Sequence, residues 1–264
     1  MQRRSYTSDL TDAQWERLRP LLESPKHKGG RPREWPLREI VNALFYYLKN
    51  GCSWRDLPHD FPPWDNVYDH FRRWKRNGRI EHIHDVLREQ VRRHEGREPT
   101  PSAAVLDAQS IRTAEKRGTW GFDGGKIITG RKRHLCVDTL GLIWAVEVTA
   151  ASLPDVHGAR RVLPQMVGCC PRLEVIFADG AYAGEPLAQW VDQTGGWRLQ
   201  VVEKPKNQKG FSVLPKRWVV ERTFAWLMRH RRLARDYETD PKSSETWIRL
   251  AMIRLMLRRL DPVA

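Results

Sequence analysis

The chain has 264 residues, a net charge of +14 and a pI near 10, which together favour one or two domains and a polyanionic partner, most often nucleic acid. A protein that is merely basic, as some ribosome-associated and membrane-surface proteins are, is the alternative. No run of about 18 apolar residues is present, and the first residues lack the apolar core of a signal peptide, so we expect a cytoplasmic protein without a membrane span. The four Cys show no C-x-x-C spacing, which argues against a zinc ribbon.

The first 95 or so residues have the spacing typical of helices. A capping box at 11–14 opens a short helix, and a longer helix with apolar residues at helical spacing ends at Asn50-Gly51. A very short helix follows Ser53, and a third helix begins near Asp65. The basic residues of that third helix, which we expect to contact DNA, are Arg72, Arg73 and Lys75.

Helix, tight turn, short helix and basic helix is the order of a helix-turn-helix DNA reader. The alternative is a small helical bundle whose basic face serves only solubility. The polar, Pro-bearing stretch at 94–102 indicates a domain boundary. We therefore predict an all-helical, helix-turn-helix-like DNA-binding domain over 1–98 and a second domain over 99–264.

The second domain has the pattern of a mixed α/β fold. Predicted strands lie at 103–106, 131–138, 142–149, 173–178 and 197–202. Predicted helices lie at 155–167, around 215–233 and around 244–259. This order predicts a ribonuclease-H-like fold, with a mixed five-stranded sheet flanked by helices, in which the first and fourth strands are neighbours.

Three carboxylates stand in distinct settings: Asp107 and Asp179 each follow an apolar strand, and Glu221 lies within a predicted helix. Strand ends in open α/β sheets are where ligands bind, and carboxylate oxygens suit hard divalent cations. Taken singly, Asp107 would cap a turn, Asp179 would be a turn residue before Gly180, and Glu221 would pair with Arg217 one turn back. Their conjunction in a basic chain favours a shared metal site.

Such a site suits phosphodiester chemistry. Two Mg²⁺ ions, about 3.5–4 Å apart, activate a water or a 3′-hydroxyl and stabilise the leaving oxygen. We expect Mn²⁺ to substitute. Basic segments flank the site and are predicted to hold DNA phosphates. They comprise Lys126, Arg131, Lys132, Arg133 and His134 before the hairpin, Lys204, Lys206, Lys209 and Lys216 before the helix of Glu221, and Arg229, Arg231, Arg232 and Arg235 after it. Arg217 is also expected to contact a DNA phosphate.

The chain resembles the DDE transposases of IS5-type bacterial insertion sequences. The resemblance lies in GRKRHLCVDTLG at 130–141, ADGAYAG at 178–184 and RWVVERTFAWL at 217–227, and in TDAQW at 11–15 and GCSWRDLP at 51–58. It runs nearly end to end. The related IS4-type signature Y-x2-R-x3-E-x6-K matches Arg217 and Glu221, but Leu214 replaces its Tyr and Met228 its Lys.

The resemblance implies a ribonuclease-H-like catalytic domain with Asp107, Asp179 and Glu221 as the metal-binding triad. It implies double-stranded DNA as partner, both as terminal inverted repeats and as target, and a homodimer or higher multimer on that DNA. Cleavage and strand transfer at the element ends would occur in the bacterial cytoplasm, at the nucleoid. The alternatives are a metal-dependent nuclease of the same fold without strand transfer, and a domesticated, non-catalytic DNA-binding regulator.

Overall fold

A computed structural model describes residues 3–23, 34–115, 117–202 and 217–262. Predictions for Leu214 and for Lys204, Lys206, Lys209 and Lys216 lie outside these ranges. Within them, no helix is long and apolar enough to cross a membrane.

The chain forms two compact units. A helical unit contains Met1–Glu95, Arg229–Ala234 and Thr246–Ala264, and an α/β unit contains Gly96–Met228 and Arg235–Glu245. The chain therefore returns to the helical unit twice after leaving it. The functional division into a DNA-binding part over 1–98 and a catalytic part over 99–264 stays a prediction.

The helical unit is built mainly from four helices that follow one another in the chain. These are α1 (Asp12–Leu22), α2 (Leu37–Asn50), α3 (Trp64–Arg76) and α4 (Arg79–His94). The predicted capping box of α1 is confirmed, since Thr11 Oγ1 accepts from the Gln14 N–H at 3.2 Å and the Gln14 side chain accepts from the Thr11 N–H at 3.3 Å. As predicted, α2 ends at Gly51, whose φ of 70° is left-handed. Helix α4 was not predicted as a separate helix.

The very short helix predicted after Ser53 is a 3₁₀ turn at Trp54–Asp56. Its Trp54 stacks on Tyr47 with ring centroids 4.0 Å apart. Trp247, which is almost fully buried, stacks on Tyr47 at 5.0 Å and on Phe71 at 4.5 Å. These rings pack together in the helical core, so both Trp residues stabilise the fold by packing.

The α/β unit is built around a single sheet. Its strands are β1 (Ala103–Arg112), β2 (Gly121–Asp123), β3 (Ile128–Asp138), β4 (Ile143–Ala150), β5 (Val175–Ala178) and β6 (Arg198–Val201). Its helices are α5 (Asp155–Val162), α6 (Glu185–Gly195) and α7 (Trp218–Met228). The predicted helix around 215–233 is divided, since α8 (Arg231–Ala234) is separate, and α9 (Pro241–Leu260) follows.

The sheet is mixed, as predicted. Strands β4, β3 and β1 pair antiparallel, and β1, β5 and β6 pair parallel. The short β2, which the sequence did not indicate, adds a sixth strand beside β3. Together with the flanking helices, this order confirms the ribonuclease-H-like fold.

Candidate active site

Asp107 and Asp179 lie at matching positions on two neighbouring parallel strands. The pairing of β1 with β5 ends at Val105 and Phe177, and each Asp comes two residues later. Alternate residues of a strand share a face, so the register directs both carboxylates to one side of the sheet. The first and fourth predicted strands correspond to β1 and β5, and the prediction that they are neighbours is confirmed. The predicted end of the first strand at residue 106 is wrong, because β1 continues to Arg112 through its pairing with β3.

The carboxylate of Asp107 is largely withdrawn from water. Burial is the main cause that raises the pKa of Asp107 to about 6, and the negative charge of Asp179 raises it further. A hydrogen bond from the Ala108 N–H to Oδ1, 2.7 Å long, and the charges of Arg217 and Lys126 lower it. The two aspartates therefore repel each other, and added positive charge would relieve that repulsion.

Arg217 connects Asp179 with Glu221. Its Nη2 lies 3.7 Å from Asp179 Oδ2 and 3.7 Å from Glu221 Oε1. Glu221 lies in the first turn of α7, one turn after Arg217, and its side chain is 54% exposed. The guanidinium thus draws together one strand-end aspartate and the helical glutamate.

The ordinary structural roles of these acids also occur. The Asp179 side chain accepts a hydrogen bond from the Ala181 N–H at 2.9 Å and so caps the 3₁₀ turn at Gly180–Tyr182. Glu221 forms the i,i+4 pair with Arg217. Asp107 caps no turn, because it lies inside β1. The alternative that Asp107 caps a turn is therefore wrong.

The three candidate carboxylates have the chemistry that a divalent cation requires. All three candidates offer hard carboxylate oxygen, and the Asp107–Asp179 repulsion is of the kind that a cation relieves. In the described ranges, however, no three His, Cys, Asp or Glu side chains are grouped closely enough to hold a metal ion. The chemistry of the residues fits Mg²⁺ or Mn²⁺, while the triad of Asp107, Asp179 and Glu221 stays a prediction.

Three of the predicted DNA contacts lie in the interior of the α/β unit. Arg131 is fully buried and its Nη1 lies 3.1 Å from Asp236. Lys132 is 5% exposed and its Nζ lies 2.8 Å from Asp155. Arg133 is fully buried. The prediction that these side chains contact DNA does not fit this structure, because internal acids take up the charge of the first two and no solvent reaches the third.

The basic residues of α3 are placed differently. As predicted, Phe71 and Trp74 face the core, and Arg72 and Arg73 are exposed. Lys75 is half-buried. Arg72 interacts only weakly with its own helix, at 3.9 Å from Asp69. The first two are open to solvent and Lys75 partly so, and their contact with DNA stays a prediction.

Two further residues lie beside the aspartates: Tyr182, to which the sequence assigned no role, and Lys126, which was expected to hold a phosphate. Tyr182 is fully buried, and among the described residues its hydroxyl has no hydrogen-bond partner. Burial, followed by the charges of Asp107 and other acids, raises its pKa well above the usual range. Lys126 donates to the Ala108 carbonyl at 3.1 Å. Tyr182 lies only three residues after Asp179 in the sequence, and this spacing was the one indication that Tyr182 belongs beside the site.

A six-stranded ribonuclease-H-like sheet with two aspartates at matching positions of its inner parallel strands is the arrangement expected of a DDE transposase domain. Residues 98–256 match the family "Transposase DDE domain", and the chain belongs to that family. Residues 10–84 match "Putative transposase of IS4/5 family". The resemblance drawn from the sequence is therefore confirmed.

The chain is also similar to three curated proteins, one of which is described as a putative transposase. The chain is 29% identical over 145 residues to "Putative transposase for insertion sequence element IS402" of Burkholderia cepacia, which covers 50% of this chain and 66% of the relative. It is also 29% identical over 108 residues to "Insertion element IS402 uncharacterized 16.2 kDa protein" of the same organism, covering 39% of this chain and 72% of the relative. An uncharacterized protein of Sinorhizobium fredii is 32% identical over 78 residues, covering 30% of this chain and 62% of the relative.

Proposed function

We propose that this transposase binds the terminal inverted repeats of its own insertion sequence and catalyses metal-dependent cleavage and strand transfer at their ends. The observation that carries the proposal is the matched register of Asp107 and Asp179, with Glu221 held to Asp179 through Arg217. Converging carboxylates repel one another, and a bound cation would relieve that repulsion.

Asp107 and Asp179 would hold divalent ions between them, and Glu221 would complete the second position. When bound, Mg²⁺ or Mn²⁺ ions activate a water or 3′-hydroxyl and stabilise the leaving oxygen. Arg217 would neutralise a DNA phosphate beside these acids, since its guanidinium already faces two of them.

The helical unit would provide recognition of the inverted repeat. Support comes from α3, whose Arg72 and Arg73 are exposed while its apolar side packs inward. We expect these two side chains and Lys75 to contact phosphates. A homodimer or higher multimer would join the two element ends, because both ends must be processed together.

The test uses the full chain, Mg²⁺ and DNA that carries the element ends, with cuts mapped on a sequencing gel. Asp107→Asn, Asp179→Asn and Glu221→Gln should each reduce cleavage by at least about a thousandfold and leave repeat binding within about twofold. Glu185→Gln, an exposed acid in the first turn of α6, is the matched control and should cut normally.

Two results would redirect the proposal. Cleavage at near wild-type rate in any one of the three variants would remove that residue from the site. A wild-type protein that only hydrolyses when given a 3′-hydroxyl end and target DNA would be a nuclease, and one that binds repeats but never cuts would be a regulator.

A further inference from the structure

Three basic side chains and one histidine lie near one another in the helical unit. Lys49 lies in the last turn of α2, and His230 immediately precedes α8. Arg254 and Arg258 lie one turn apart on α9. All four belong to the same compact unit, although three segments of the chain supply them. We call them the Lys49 cluster.

Two members of the Lys49 cluster share Thr7 as a hydrogen-bond partner. Arg254 Nη2 donates to the Thr7 carbonyl oxygen at 3.2 Å, and Lys49 Nζ donates to the hydroxyl of the same Thr7. The end of α2 also lies against the start of α8, since a Cβ placed on Gly51 would stand 3.1 Å from the Cβ of Arg231. His230 is therefore brought next to the end of α2.

The Lys49 cluster has no acidic counterpart in the part of the chain that the structure describes. None of its four members forms an ion pair there, and the two hydrogen bonds to Thr7 use neutral oxygens. His230 is 8% exposed, and its buried Nδ1 has no hydrogen-bond partner among the described residues. A buried polar atom without a partner is costly, and an unseen water or ion is one of the explanations for it.

Burial and the neighbouring positive charges both disfavour the charged forms of these groups. Burial lowers the pKa of His230 to about 4, and the charges of Arg254, Arg258 and Lys49 lower it further. Burial is also the main cause that lowers the pKa of Arg254 to about 10, with Arg258 as the second cause. Burial and the same two arginines lower the pKa of Lys49. An anion among these groups would reverse each of these charge effects.

We propose that Lys49, His230, Arg254 and Arg258 form a phosphate-binding site that holds one backbone phosphate of the DNA. Arg254 is buried, Lys49 is half-buried and Arg258 is exposed, so the site opens to solvent at one end. A neutral imidazole with its proton on Nδ1 donates a hydrogen bond to an oxygen of the phosphate, and the three cations supply charge-assisted bonds. That the phosphate comes from DNA rests on the proposed function; the site itself does not.

The first experiment uses inorganic phosphate without DNA or metal. Isothermal titration calorimetry of the full chain should detect phosphate binding, and the double variant Lys49→Gln/Arg258→Gln should bind it at least about tenfold more weakly. Arg93→Gln is the control, because Arg93 is an exposed arginine of the same unit that pairs with Glu89. Both substituted residues of the double variant reach solvent, so folding should be retained, and circular dichroism checks this.

The second experiment identifies the source of the phosphate. The slope of log K against log salt for repeat DNA should fall by about 0.9 for each phosphate contact that the double variant removes, and should not change in Arg93→Gln. Phosphate binding that is lost in the double variant, with an unchanged salt slope, would support the site and reject DNA as its ligand. Equal phosphate binding by wild type and double variant, or none by either, would overturn the site. Neither readout requires DNA cleavage, so failure of the catalytic proposal would be seen separately.

Discussion

The hydroxyl of Thr223 on α7 donates a hydrogen bond to the carbonyl oxygen of Gly141, 2.8 Å away, in the turn between β3 and β4. Arg222 adds a second bond from the same helix to the carbonyl of Leu140, at 3.1 Å. The turn itself is fixed by Asp138, whose Oδ1 accepts from the N–H groups of Leu140 and Leu142. Helix α7, and with it the Glu221 position, is therefore fastened to one end of the hairpin.

This fastening makes Gly141 a sensitive position. Its φ is 80°, and an added Cβ would stand 2.8 Å from Thr223 Oγ1 and 2.9 Å from a ring carbon of Trp226. Gly141→Ala should therefore destabilise the fold by about 1–3 kcal/mol more than backbone strain alone, because α7 must shift. Gly168→Ala isolates the strain, since Gly168 has a φ of 77° with nothing within 4 Å, and should cost about 1 kcal/mol.

Urea unfolding of both glycine variants measures the difference. The Gly141 variant should also lose cleavage activity under conditions where it remains folded, whereas the Gly168 variant should keep it. Equal destabilisation by the two substitutions would mean that the contact between α7 and the turn contributes nothing.

Asp107 should make stability depend on pH in a defined direction. Its pKa in the folded protein is about 6, above the ordinary value of 3.8, so the folded state binds more protons than the unfolded state between those values. The stability it contributes is fully present below about pH 4 and is lost as the pH rises to about 6. The loss should be about 3 kcal/mol.

Asp107→Asn removes this titration, and the comparison should be made by urea unfolding with EDTA present. Relative to wild type, the variant should gain stability as the pH rises from 4 to 7. His134, whose pKa burial lowers to about 4, acts with the opposite sign, and subtracting wild type from variant cancels its contribution. A difference that is constant with pH would contradict the assignment.

Arg217 should set the acidic limb of the cleavage profile. Its charge lowers the pKa of Asp107, so Arg217→Met should raise that pKa and move the acidic limb to higher pH. Arg217→Lys keeps the charge and should move it less. Single-turnover cleavage of element-end DNA, measured from pH 5.5 to 8.5, provides the comparison. An unshifted limb with uniformly reduced rates would assign Arg217 to DNA contact alone.

The sequence indicated most of the sheet because the strands are apolar runs bounded by turns. Its register came from the structure: the pairing of Val105 with Phe177 is what aligns Asp107 with Asp179. The pair between Arg217 and Glu221 was foreseeable from their i,i+4 spacing, whereas the contact of Arg217 with Asp179 joins segments that no local pattern relates.

The buried basic residues of β3 show why a run of charged residues is a poor predictor of a DNA-binding surface. Arg131, Lys132 and Arg133 have the composition of a solvated surface, yet β3 is paired with β1 on one side and β4 on the other. Their burial depends on partners far away in sequence, since Asp236 lies 105 residues from Arg131. A single sequence contains no local signal for such a pair.

The Arg131–Asp236 pair gives the sharpest contrast between structural and DNA-binding arginines. Arg131→Met should destabilise the fold by about 3–5 kcal/mol, because it leaves Asp236 buried without its partner. Arg131→Met/Asp236→Leu should recover part of this loss. Arg72→Met, at a side chain that is 63% exposed, should change stability by less than about 0.5 kcal/mol and weaken repeat binding instead. Unfolding in guanidinium chloride measures the effect on stability, and gel-shift titration with repeat DNA measures the effect on binding. A stable Arg131→Met protein with weakened DNA binding would restore the surface role that its burial now contradicts.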